Sequence, residues 1–225
     1  MTKYLIFDSG VLINLAQSCL LSVFRELKEK FHGEFIIPPA VKYETIDHPL
    51  KIKRFGWGAM RIQALLDDEV IKLPETINLV TGDELNKKTE EVMNNANGSF
   101  LAAGKEIHII ERGESECLAL SLLLNERKID NAVVIDERTA RMLCENPEML
   151  KELMSEKLET KVELMSEKLE QFKKINVLRS PELIYIAHKD GLIDSDIKKF
   201  EAMLYALKFG GCSISEKEIQ AIKKM

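Results

Sequence analysis

At 225 residues, 45% hydrophobic and 31% charged, the chain has the composition of an ordinary globular protein with one substantial core rather than a disordered one. Its apolar runs fall far short of the roughly 18 residues a spanning helix needs, and no charged-then-apolar leader precedes the first strand, so no membrane partner is expected. The formal net charge of −5 exerts no global pull on nucleic acid, and any such contact needs a local basic surface.

Tyr4-Leu5-Ile6-Phe7 reads as a short buried strand that ends at Asp8, with Ser9-Gly10 as the turn. Apolar residues at helical spacing then predict a helix over 11–30. Phe35-Ile36-Ile37 is a second strand, stopped by Pro38-Pro39, where a helix carrying Val41 and Glu44 starts. Residues 55–68 suggest another helix, 70–73 a strand before Pro74, and 76–97 a polar helix ending in a flexible NNANGS. Ile107–Ile110 reads as an edge or short turn, and a turn at Gly113 opens a leucine- and alanine-rich helix. Ala132–Ile135 has the character of a buried parallel strand and ends at Asp136, as the first ends at Asp8. A last strand is expected at 175–178, then helices near 181–189 and 194–208, and a short one capped by Ser213 or Ser215.

One stretch exceeds this alternating pattern. ELMSEKLE occurs at 152–159 and again at 163–170, a spacing of eleven residues or about three helical turns. Leu153, Met154 and Leu158 would recur on one face as Leu164, Met165 and Leu169, which predicts a single inserted helix over about 147–174. Its apolar face would either cover the core or join a second chain, as a homodimer arm or a partner-binding arm.

Strands alternating with helices argue for an α/β fold, a three-layer α/β/α sandwich around a mainly parallel sheet, formed by residues 1–225 as a single domain. In such a sheet Asp8, Glu44, Glu114, Glu116 and Asp136 fall at one edge, above the strand C-termini. Carboxylates converging there repel one another unless a cation neutralises them, and a hard oxygen-only set suits Mg²⁺ or Mn²⁺. Such ions activate water for displacement at phosphorus. The four histidines and four cysteines are scattered and form no CxxC pair, which suggests a reduced cytoplasmic setting and no zinc site. GxxxxGK[ST] and GxSxG are absent.

IFDSGVLINL, IIPPAVKYE, RGESECLALSL and VVIDERTARML, in this order, resemble the PIN-domain family of metal-dependent ribonucleases. The C-terminal GLIDSDIKKFEAMLYALKFGGCSIS resembles an archaeal and bacterial branch related to VapC toxins. The resemblance covers most of the chain apart from roughly 50–105 and the repeat. It implies that Asp8, Glu44, Glu116 and Asp136 hold the metal and are catalytic, with Cys117 where alanine is usual. Ser9 matches a hydroxyl position beside the first aspartate, and it could equally cap the helix. Glu114 and Glu116, two apart, cannot both face one way on a helix; Glu116 is the favoured ligand and Glu114 suits the positive helix N-terminus. Either Asp136 or Glu137 could face the metal, and Glu137 stands where the family pattern has aspartate.

The implied function is a divalent-metal-dependent endoribonuclease hydrolysing RNA phosphodiesters, with the toxin half of a toxin–antitoxin pair as one role and an antitoxin as its partner. The alternative is a catalytically weak or inactive RNA-binding or scaffold protein that recruits a partner through the repeat helix. A haloacid-dehalogenase-like phosphatase needs a second aspartate two positions after Asp8, where this chain has Gly10. Arg138 and Arg141 either touch a phosphate or are solvated, and Trp57 in RFGWGAM either packs in the core or stacks on a base.

Overall fold

A computed structural model describes residues 3–193 and 196–224. The central sheet has four parallel strands in the order β2-β1-β5-β7: β1 Tyr4–Phe7, β2 Glu34–Ile36, β5 Asn131–Val134 and β7 Val177–Leu178. β1 pairs with β2 from Tyr4↔Glu34 and with β5 from Tyr4↔Asn131, so Phe7 and Val134 reach the same level. β5 is buried throughout and β1 from Leu5 on, as strands covered on both faces must be. Phe7, Phe24 and Phe35 form the densest part of the core, each pair of ring centroids 4.9 Å apart. Among the described residues no helix is long and apolar enough to cross a membrane.

The expected helix over 11–30 is two, α1 Ser9–Gln17 and α2 Leu21–Lys30. Cys19 sits at φ 59°, a left-handed conformation that stops α1 and redirects the chain. Behind β2 come α3 Pro39–Lys42 and one π turn, Tyr43–Asp47, followed by α4 Gly56–Asp67. The strand expected at 70–73 is reduced to one parallel bridge, Ile36↔Lys72. Pro74 lacks the N–H that a longer ladder would need. α5 Gly82–Asn97 runs through most of the stretch expected to be flexible. Its Asn97 accepts from the N–H groups of Ile109 (2.7 Å) and Ile110 (3.1 Å) and donates to the Ile110 carbonyl, which pins that loop.

A second sheet was not foreseen: three antiparallel strands in the order β4-β3-β6, with β3 Phe100–Ala102, β4 Lys105–Glu106 and β6 Val162–Leu164. Ala103 (φ 48°) and Gly104 (φ 75°) form the two-residue hairpin between β3 and β4, so the edge expected at 107–110 lies just before those residues. β6 overturns the single helix over 147–174. Only the first copy of the repeat is helical, in α8 Pro147–Lys157. Glu159 at φ 49° and the turn at Thr160 reverse the chain, and the second copy supplies Glu163 and Leu164 to β6 and a 3₁₀ turn at Ser166–Leu169. The exposed edge of β3 offers Phe100↔Leu164 and Leu101↔Glu163 pairing, and Val162 and Leu169 are buried against the core. Tertiary pairing therefore outweighs helical periodicity, and the long arm expected to meet a second chain or partner does not form.

α6 Arg112–Glu126 follows, then α7 Arg138–Glu145, α9 Ser180–Lys189, α10 Ile197–Phe209 and α11 Glu216–Ile222. Residues 194–195, the expected start of α10, lie outside the described residues, and its cap is Asp196. Ser215 rather than Ser213 caps α11.

Candidate metal centre

β1 and β5 end side by side, and the Asp8 N–H donates to the Val134 carbonyl at 3.0 Å. Asp8 is buried and caps α1: its Oδ2 accepts from the Gly10 N–H at 3.0 Å. The cap is thus Asp8 itself, and half-buried Ser9 is the first helical residue. Capping uses one oxygen only. Oδ1 is buried with no hydrogen-bond partner, a costly state for a carboxylate unless something else meets it.

Glu44 enters from the π turn, a distortion that often marks functional positions. Opposite it, Gly113 lies inside the first turn of α6, not in a turn before the helix, because the helix starts at Arg112 after the Glu111 cap residue. A Cβ at Gly113 would stand 2.6 Å from Glu44 Oε2 and 2.8 Å from Oε1, so any other residue there would displace that carboxylate.

Glu116 is buried on α6, and its carboxylate is occupied: Oε2 accepts from the Ala40 N–H at 2.7 Å, and Arg112 Nε lies 3.3 Å from Oε1. Burial still raises its pKa, against the lowering effect of those two partners. Glu114 is half-buried and accepts from the Glu111 N–H at 2.8 Å, closing the first turn. It also faces the cluster. Burial first, then the charges of Asp8, Glu137 and Glu44, push its pKa up to about 8. Asp8 is pushed up to about 6, chiefly by burial and further by Glu44 and Asp136, against the bonds from Gly10 and Ser9. The Cys117 thiol beneath donates to the Phe7 carbonyl at 3.6 Å and is raised by burial and by Asp8, Glu116, Glu44 and Glu114.

Asp136 is placed differently. Its Oδ1 accepts from the Ser180 N–H (2.8 Å), and its Oδ2 from the Ser180 hydroxyl (2.7 Å) and the Asn14 amide (3.2 Å). Asn14 also donates to the Leu207 carbonyl at 2.9 Å. Buried Asp136 thereby joins β5 to α1, α9 and α10. Exposed Glu137 caps α7 by accepting from the Ala140 N–H at 2.8 Å. Asn14 and Ser180 escaped the sequence reading; a polar residue inside the apolar run Val11–Ala16 was the available signal for Asn14.

The donor set is all carboxylate oxygen, with one orphaned buried oxygen at Asp8 and two carboxylates raised chiefly by burial and further by neighbouring carboxylates. That chemistry fits a hard divalent cation. Among the described residues no three His, Cys, Asp or Glu side chains enclose a common ion position, so these carboxylates would have to rotate to hold one. Glu114 would give up a single cap bond in doing so.

Stability should follow from these shifts. Asp8 and Glu114 ionise at lower pH in the unfolded chain than in the fold, so the native state loses stability as pH rises towards and through about 6 and then about 8. In chelator the melting temperature should fall over that interval, and millimolar Mg²⁺ or Mn²⁺ should flatten the fall. Thermal melts across pH with and without cation check this; a flat chelator curve would show that folding does not raise these two carboxylates. Comparison with protein-family models, curated proteins and solved structures finds no match to this chain.

Proposed function

We propose that the chain is a divalent-metal-dependent endoribonuclease of PIN-like design, hydrolysing RNA phosphodiester bonds. The orphaned Oδ1 of Asp8, buried among Glu44, Glu114 and the braced Glu116 and Asp136, carries the proposal. Asp8, Glu44 and Glu114 would hold Mg²⁺ or Mn²⁺. Bound there, the cation supplies activated water and offsets charge on the phosphate. The chain's residues do the rest. Asp8 is fixed by the α1 cap, Gly113 leaves room for Glu44, and Ala40 and Arg112 hold Glu116 beside Glu44. Metal binding to Asp8 and Glu114 must expel whatever protons their raised pKa values retain, which couples affinity to pH.

The carboxylates hold charge and position; no nucleophilic side chain in a triad arrangement is needed. A toxin role with an antitoxin partner belongs to the same proposal. The scaffold alternative relied on a long repeat helix, which α8 and β6 replace. Incubating the protein with single-stranded and structured RNA should give cleavage that needs Mg²⁺ or Mn²⁺ and stops with chelator. Cleavage unchanged by chelator, or none with either ion, would reject the reading.

A further inference from the structure

Beside the carboxylate cluster, a cleft of about 580 Å³ opens between α1, the π turn and α4. Glu44 lines it and also belongs to the cluster, so the two sites share a wall. His48, Arg54, Phe55, Trp57 and Arg61 also line it. Trp57 is 73% exposed although it begins α4, a helix that buries Ala59, Ile62 and Leu65. Phe55 and Met60 are also exposed. Gly56 and Gly58 flank Trp57, and a Cβ at either would meet open space, so the indole's neighbours leave room around it.

The charge here opposes that of the whole chain. Arg54 in the lining is exposed, as are its chain neighbours Lys51 and Lys53 outside it, and among the described residues none of the three has an ion-pair partner. The Arg54 guanidinium lies over the Phe55 ring, 4.3 Å from its centroid. Exposed rings interleaved with unpaired cations form the pattern that stacks bases while gripping phosphates.

We propose that this cleft binds an unpaired RNA base, stacked on Trp57, with Arg54 meeting a flanking phosphate. The choice of RNA rests on the ribonuclease reading, because Glu44 places the cleft against the cation site. A base has faces that a duplex hides, so the ligand is single-stranded. A membrane surface suits the observations less well, because the pocket is concave.

Trp57 is the chain's only tryptophan, so its fluorescence reports on this cleft alone. Titration of the parent in chelator with a short single-stranded oligoadenylate should quench it saturably. An abasic strand of equal length and a duplex should quench weakly. Trp57→Ala should weaken binding of a labelled oligoadenylate by about ten- to a hundredfold, measured by polarisation, with unchanged circular dichroism. Trp57→Phe should restore much of the affinity. Absence of quenching, equal quenching by the abasic strand, or an emission shift with phosphatidylserine vesicles but not RNA would each overturn the cleft assignment. Quenching without any metal-dependent cleavage would support the cleft and reject the nuclease. Cleavage with neither quenching nor an effect of Trp57→Ala would do the reverse.

Discussion

Asp8→Asn should leave the protein folded and reduce metal-dependent RNA cleavage by about 10²–10³-fold or more, the scale of losing one group that stabilises the transition state. Asparagine is as good an N-cap as aspartate, so the bond from Gly10 to the side chain survives. The loss falls on the orphaned oxygen, which in the variant carries no charge to offer a cation. Stability then moves in a definite direction. Parent Asp8 ionises near 3.8 when unfolded but near 6 in the fold, so the parent loses stability across that window and the variant does not. In chelator the variant should therefore gain on the parent as pH rises from about 4 to about 6 and keep that gain above it, by on the order of 1–3 kcal/mol. Added Mg²⁺ should raise the variant's melting temperature less than the parent's. Cleavage assays and paired melts read both effects; a folded variant that cleaves at the parental rate would remove Asp8 from the mechanism.

Asp136→Ala should do the opposite kind of damage. It strands the Ser180 N–H and hydroxyl in the interior and takes one partner from Asn14. Two or three buried donors left without the carboxylate should cost about 3–5 kcal/mol in urea unfolding. Asp136→Asn should cost less, because its carbonyl oxygen can still accept from the Ser180 N–H while its amide faces the hydroxyl. A change below about 1 kcal/mol for the alanine variant would mean that these bonds contribute little net stability. Comparing Asp8 and Asp136 separates a carboxylate kept free for chemistry from one spent on the fold.

The two aspartates also show how far sequence alone reaches. Apolar runs ending in an acid located β1 and β5 and set both aspartates at one sheet edge, since strand direction and burial are local properties. Hydrogen-bond partners are not local. Nothing near Asp136 announces Ser180, 44 positions away, or Asn14, 122 away. The preference for Glu116 over Glu114 came from the resemblance, and helix geometry added only that the two diverge, not which one meets Asp8. Burial and the Ala40 N–H occupy Glu116, whereas Glu114 takes the field of Asp8, Glu137 and Glu44. Trp57 had two open readings for the same reason, as exposure depends on what packs over a helix. The β4-β3-β6 sheet was hidden behind a genuine helical periodicity.

The duplicated octapeptide sets a problem for the folding chain itself. Two identical segments compete for one helical and one extended place, so an exchanged arrangement is a nearby rival minimum, a source of local frustration. The flanks break the tie. Asn146 accepts from the Met149 N–H at 3.0 Å and Pro147 occupies the first helical turn, so the copy that follows them inherits a preformed start. An exchange would put the copy to be nucleated eleven residues farther from that start. Identity between the copies thus makes their neighbours, not the repeated residues, the information that selects the native threading.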